Sequence, residues 1–212
     1  MKLQNKKVLV AGGAGFIGSH TVDLLIEQEY QVVILDNLSS GYKENINPKA
    51  KLYEEDISSP HIYTIFEREK PDVVIHLAAQ VDLRLSIEEP IMDAEQNILG
   101  SINIIEASRI HGVKKIIFAS TAGVFGEQQT FPADEDHPQN PVSPYGIAKL
   151  TVEKYLYFYH HKYGLNYTVF RYANIYGPRQ LVKGEGGVVA IFVQNILTGK
   201  NPIINGDGKQ TR

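Results

Sequence analysis

Between Lys7 and Ser19 the chain reads Val8-Leu9-Val10-Ala11-Gly12-Gly13-Ala14-Gly15-Phe16-Ile17-Gly18. A short apolar run, as a strand buried on both faces requires, turns through closely spaced glycines into a helical pattern. No other stretch limits the fold so strongly. Counted from Gly12 the spacing is GxxGxxG and counted from Gly13 it is GxGxxG, so one segment meets both dinucleotide fingerprints. The early glycines allow a tight turn and close backbone approach, and Gly18 lets the helix pack on the strand. A pyrophosphate is expected on the free N–H groups and positive end of that helix.

A second apolar strand, Gln31 to Leu35, ends at Asp36, 18 residues after Gly18 and near the expected acidic position. A carboxylate there can accept both hydroxyls of an adenosine ribose and repels the extra phosphate of NADP, which points to NAD. Further strand-like runs at Lys51 to Glu55, Val73 to Leu77, Lys115 to Ala119 and Thr168 to Phe170 alternate with helical segments at Gly15 to Glu29, Pro60 to Glu69, Ile87 to Ile110 and Pro144 to Tyr163. That alternation predicts an α/β protein with a doubly wound, Rossmann-type parallel sheet covered on both faces. It breaks near Gly177-Pro178, and a glycine-rich stretch, Lys183 to Gly187, precedes one more helical pattern, Val188 to Leu197. The expected organisation is a dinucleotide-binding domain over 1–176 and the beginning of a smaller substrate-binding region over 177–212.

Composition removes several alternatives. With 212 residues, 43% of them hydrophobic and 21% charged, the chain can bury a core and is not of disordered type. A formal charge of −3 without a basic block argues against nucleic acid. The absence of cysteine excludes disulfides and thiolate chemistry. Glycines interrupt the only amino-terminal apolar stretch, so neither a secretion signal nor a membrane span is expected, and a cytoplasmic protein is. Adjacent His160 and His161 point in different helical directions, and no metal site is expected.

Tyr145 and Lys149 form YxxxK behind Ser143-Pro144, an N-cap residue and a proline suited to the first helical position. Four residues apart, both side chains leave one helix face. A neighbouring ammonium and a cationic nicotinamide would favour the tyrosinate, enabling Tyr145 to take a proton from a substrate hydroxyl while hydride leaves the adjacent carbon. Ser120 and Thr121 end the preceding strand, at the sheet edge where ligands bind, and either can orient that hydroxyl.

Taken together these segments resemble the extended short-chain dehydrogenase/reductases, and within them the UDP-glucose 4-epimerases and related nucleotide-sugar epimerases. The resemblance rests on Gly12 to Gly18, Asp36 to Gly41, Asp56-Ile57, His76 to Gln80, Asn97, Phe118 to Gly126, Tyr145 to Lys149 and Arg171 to Arg179, and so covers essentially the whole chain. It implies a catalytic set of Thr121, rather than Ser120, with Tyr145 and Lys149. It implies that NAD meets Gly12, Gly15, Phe16, Ile17 and Gly18, then Asp36, Asn37, Ser39 and Gly41, with Asp56 and Ile57 at the adenine. Leu77, Ala78, Ala79, Gln80, Asn97 and Tyr172, besides Tyr145 and Lys149, complete the implied cofactor site. For a UDP-sugar it implies Ser86, Thr121, Tyr145, Asn174, Val188 and Arg212.

The implied reaction is 4-epimerisation, with UDP-glucose and UDP-galactose as the leading pair, by hydride transfer through a 4-keto sugar. Ala122 and Gly123 stand where related dehydratases carry Asp-Glu, so the acid and base needed to eliminate water are missing. Phe125 replaces a frequent tyrosine. Relatives of this kind continue past the position of Arg212, which leaves two alternatives open: an NAD-binding remnant without turnover, or an epimerase of an N-acetylhexosamine or uronate nucleotide. The resemblance also implies a homodimer through helices 87–110 and 144–163.

Overall fold

The computed structural model describes residues 6–130, 132–182, 187–204 and 206–209. Six strands, β1 (Lys7–Ala11), β2 (Gln31–Asp36), β3 (Lys51–Glu54), β4 (Val73–His76), β5 (Lys115–Thr121) and β6 (Asn166–Tyr172), form one sheet in the order β3-β2-β1-β4-β5-β6. Every neighbouring pair is parallel. Parallel pairing needs crossovers; α1 (Phe16–Glu27), α2 (Ile62–Glu69), α3 (Leu83–Glu88), α4 (Pro90–Ala94), α5 (Gly100–Ile110) and α6 (Pro144–Tyr163) supply all of them but β2–β3, whose only helical part is the 3-10 turn Lys43–Asn45, and α7 (Val188–Leu197) follows β6. The expected α/β doubly wound sheet is the observed one.

Side-chain alternation along the strands sorts the core into two layers. Leu9, Ala11, Val33, Leu35, Val74, Ile116 and Phe118 pack on one face with residues of α2, α5 and α6, while Val8, Val10, Val32 and Ile34 pack on the other with Val22 of α1. Each such Val, Leu, Ile or Phe side chain, once buried, contributes about 1.5–3 kcal/mol. Edge strand β6 is far less covered, with Phe170 47% exposed. Apolar α7 has no buried residue.

The ends of α6 follow the sequence closely. The Ser143 hydroxyl accepts from Gly146 N at 3.1 Å, Pro144 opens the helix, and Gly164 closes it in the left-handed region. The expected single helix over 87–110 is corrected. Asp82, its carboxylate accepting from Arg84 N and Leu85 N, caps α3 four residues earlier than α3's expected start, and the chain then leaves the helical region at Glu89 (φ −127°, ψ 63°). Pro90 disfavours helical backbone at the residue before it and restarts the helix as α4. Glu95–Leu99 next make a single π-helical stretch before α5. Such stretches accompany functional sites, and this one presents Asn97 to the carboxyl end of the sheet.

Candidate active site

The β1–α1 turn is built so that glycine is needed at its contacts. Gly12 has φ +82°, and a Cβ there would lie 2.6 Å from Ala78 N; a Cβ on Gly18 would lie 1.9 Å from the Gly12 carbonyl oxygen. At Gly15, the N-cap of α1, an added Cβ would meet only Gly12 O at 3.4 Å, so the protein leaves the space above it open. No side chain caps α1 and its first turn holds no acid. A backbone cradle at a helix start without a capping side chain or an acid in its first turn suits a diphosphate.

A cavity of about 690 Å³ starts at this cradle and runs along the carboxyl edge of the sheet. Gly12, Gly15, Phe16, Ile17 and Gly18 form its floor, Asp36, Asn37, Ser39, Asp56 and Ile57 one end, and Thr121, Tyr145, Lys149 and Tyr172 the other. At the first end Asp36 is fixed by backbone amides, Oδ2 accepting from Ala14 N at 2.9 Å and Oδ1 from Leu38 N at 2.8 Å. A carboxylate has about four acceptor positions, so each oxygen retains capacity for a ribose hydroxyl. Gly41 sits behind this end, where a Cβ would meet Ala14 Cβ at 2.8 Å. Burial pushes the Asp56 carboxyl up, but hydrogen bonds from Ser58 and Asn37 outweigh it and hold the group below its ordinary value.

Leu77, Ala78, Ala79 and Gln80 form the wall facing the cradle. Asn97 lies behind them, 2% exposed, and clasps Gln80 as a strand partner would: Gln80 N donates to Asn97 Oδ1, and Asn97 Nδ2 to Gln80 O, both at 2.9 Å. Its place is that of a support for the wall. His76, fully buried, is held by burial at a pKa of about 3 and so stays neutral, its Nε2 2.8 Å from Ser101 Oγ.

At the chemical end the structure separates the two hydroxyls that the sequence left open. Ser120 donates to Glu153, whose carboxylate is in turn held by Arg171 at 2.8 Å, so its proton is committed to the protein. Thr121 Oγ1 accepts from Gly123 N at 3.0 Å, which occupies one lone pair and leaves its proton to give. Tyr145 and Lys149 reach the same cavity from the first turns of α6. Lys149 Nζ lies 5.7 Å from the Tyr145 ring centroid and 4.8 Å from that of Phe118, and donates to Ala119 O at 2.9 Å. Burial pulls the Lys149 ammonium down to about 8, opposed by Asp93. An ammonium beside a phenol favours the phenolate. Such a set can remove a proton from an alcohol.

Three of the residues implied for the sugar nucleotide do not line this cavity. Ser86 is fully buried, its hydroxyl donating to Leu83 O at 2.7 Å. Asn174 is exposed between the wall residues Ala173 and Ile175, and Val188, 45% exposed, starts α7 without lining the cavity. Arg212 lies outside the described residues. Conversely, Arg179, Gln180 and Leu181 line the cavity without having been assigned to it. Their segment folds back on α1, where Arg179 pairs with Asp23 at 2.8 Å and Pro178 O lies 2.9 Å from His20 Nε2. Only the tertiary return of the chain after β6 reveals this. Among the described residues no cluster of acids and histidines could hold a metal ion.

A Rossmann sheet, a diphosphate cradle and a tyrosine–lysine pair on one cavity define a nicotinamide-dependent enzyme acting on alcohols or carbonyls. Residues 8–212 match the sequence profile of the NAD dependent epimerase/dehydratase family, and the chain belongs to that family. A UDP-glucose 4-epimerase of Mycolicibacterium smegmatis is 42% identical over 212 residues, 97% of this chain and 68% of its own. The solved structure of a Thermotoga maritima UDP-glucose 4-epimerase with UDP-glucose is 51% identical, with a TM-score of 0.93 over 96% of this chain and 67% of that one. A UDP-N-acetylglucosamine 4-epimerase of Methanobrevibacter ruminantium, solved with UDP-N-acetylmuramic acid, is 39% identical with a TM-score of 0.93, over 98% of this chain and 68% of that one. The chain thus spans about two thirds of the length of these relatives.

Proposed function

We propose that the chain is an NAD-dependent nucleotide-sugar 4-epimerase whose leading substrates are UDP-glucose and UDP-galactose. The observation that carries this reading is that Thr121, Tyr145 and Lys149 share one cavity with the glycine cradle and Asp36. Bound NAD supplies the acceptor and later donor of a hydride. The chain's own residues handle the rest. Tyr145 takes the proton of the sugar 4-hydroxyl, Thr121 orients that hydroxyl and shares the proton, and the Lys149 ammonium stabilises the phenolate and holds the nicotinamide ribose. Asp36 accepts the adenosine ribose hydroxyls and selects NAD over NADP. With Ala122 and Gly123 after Thr121, no carboxylate pair stands ready to expel water, which favours epimerisation over dehydration.

The same reading gives Asn174, Val188 and Arg212 to the sugar nucleotide, and makes residues 177–212 the start of the substrate-binding region. No helix of the described residues is long and apolar enough to cross a membrane, in keeping with a cytoplasmic site of action. Exposed Ile91 and Leu99, and Ile147, Tyr155 and Phe158 of α6, support pairing of two copies through these helices. The Methanobrevibacter relative keeps an N-acetylhexosamine nucleotide as the second substrate reading. Purified protein should convert UDP-glucose to UDP-galactose without added oxidant; conversion of UDP-N-acetylglucosamine alone would select the second substrate. Bound NAD with neither turnover nor UDP-sugar affinity would refute the catalytic reading for this chain.

A further inference from the structure

Lys149 is buried to 3% exposure, and its proposed work requires it to be an ammonium. Each element packed around it contributes something to its setting. From β4 comes His76, which stays neutral; from β5, the Ala119 carbonyl and the Phe118 ring; from α6 itself, Tyr145 and, one turn on, Glu153, which is already engaged by Arg171 and Ser120. Among the described residues the remaining charged group acting on it is Asp93, on α4, which packs against α6, and 1% exposed. Nothing in the reading of the sequence singled it out.

Asp93 is fixed in place by the same network that builds the cavity wall. Its Oδ1 accepts from Asn97 Nδ2 at 2.8 Å and from Gln80 Nε2 at 3.0 Å. Those two residues clasp each other through the Gln80 backbone, and Gln80 Nε2 also donates to Asp82 O at 2.9 Å, at the cap of α3. The π-helical stretch Glu95–Leu99 turns Asn97 into this network, and Asn97 O receives the Ser101 hydroxyl at 2.6 Å. One buried carboxylate therefore touches the support of the cofactor wall and lies on the helix that packs against the one carrying the buried ammonium.

We propose that Asp93 is a positioning residue for the reaction: it is the counter-charge that keeps Lys149 an ammonium and, through Gln80 and Asn97, it couples that charge to the wall of the cofactor cavity. This rests on the role given to Lys149 above. Burial raises the Asp93 carboxyl and lowers the Lys149 ammonium, and each group's charge opposes the other's shift, as two buried and interacting ions require. Replacing Asp93 by Asn keeps the size and an acceptor oxygen for Gln80 and Asn97, removes the charge and exchanges the other oxygen for an NH2 group.

The test is an NMR titration of NAD-free protein carrying [ε-13C]lysine, with the Lys149 signal assigned by its loss in Lys149→Arg. In wild type the Lys149 midpoint should fall near 8, and in Asp93→Asn it should fall further. An unchanged midpoint in a folded Asp93→Asn overturns the proposal. If that variant does not fold, wild type decides: the Asp93 carboxyl 13C signal should be that of an ionised group at pH 7 and show a second inflection at the Lys149 midpoint. A protonated carboxyl at pH 7, or no second inflection, overturns it equally. A purely structural Asp93 would move neither midpoint. The measurement needs no turnover, so failure to epimerise UDP-sugars would refute the proposed activity and leave this pairing to be judged by the spectra.

Discussion

The two ends of the sheet treat a buried charge in opposite ways. At the amino edge, Glu69 closes α2 at 7% exposure and accepts from Lys7 Nζ at 2.9 Å, and from Lys51 Nζ and Tyr53 OH at 2.5 Å each. Nearby, Asp72 receives Lys7 N at 3.0 Å and Lys114 Nζ at 2.6 Å. Burial works against the Glu69 anion, but these donors outweigh it and hold its carboxyl down at about 2. At the carboxyl edge Lys149 is still more deeply buried, has a carbonyl rather than a carboxylate as its described hydrogen-bond acceptor, and drops to about 8. One edge satisfies its charge and is stabilised by it. The other holds an incompletely compensated charge, an arrangement expected where a group must remain available to a ligand.

That contrast can be broken in several ways. Tyr145→Phe removes the proton acceptor and should lower turnover at least about 100-fold while NAD stays bound, as measured by epimerisation assay and by the nucleotide released on denaturation. Gly18→Ala places a methyl group against Gly12 O and should cost about 2–3 kcal/mol in urea unfolding together with NAD binding. Gly112→Ala meets nothing within 4 Å and costs only the left-handed backbone, about 1 kcal/mol.

Glu69→Gln should cost about 2 kcal/mol at pH 7, in line with the loss of charge-assisted hydrogen bonds. Because the folded carboxyl is depressed from 4.5 to about 2, its contribution is whole above pH 4.5 and disappears as pH falls through 2. Urea midpoints of wild type and Glu69→Gln should therefore converge on acidification. Lys149→Met should abolish turnover and, by leaving the buried Asp93 carboxylate without its counter-charge, destabilise the NAD-free protein at pH 7. The folded ammonium titrates near 8 and the unfolded one near 10.5, so wild type should gain stability between those values and the variant should not.

The amino edge was nearly invisible in the sequence, whereas much of the carboxyl edge could be read from it. Strand positions followed from apolar runs, because a strand buried on both faces needs little else. The cradle and Tyr145–Lys149 were legible because turns and helix faces fix short spacings locally. Ser120 and Thr121 were not separable by spacing, since the difference lies in Glu153 and Arg171, distant in sequence. The broken helix was written in Asp82 and Pro90, a capping residue and a helix breaker, but the apolar pattern over 87–110 masked them. Arg179 and Asp93 enter the site only through the return of the chain after β6 and the packing of α4 on α6, which no local pattern encodes. Glu69 likewise draws its donors from β1 and β3.

The claim that Thr121, Tyr145 and Lys149 act together on a sugar carbon above the glycine cradle is tested most directly with UDP-glucose deuterated at C4. Incubated in ordinary water without added oxidant, the protein should yield UDP-galactose with the deuterium still at C4. Product whose C4 position carries solvent hydrogen, or absence of product from NAD-loaded protein, would contradict it.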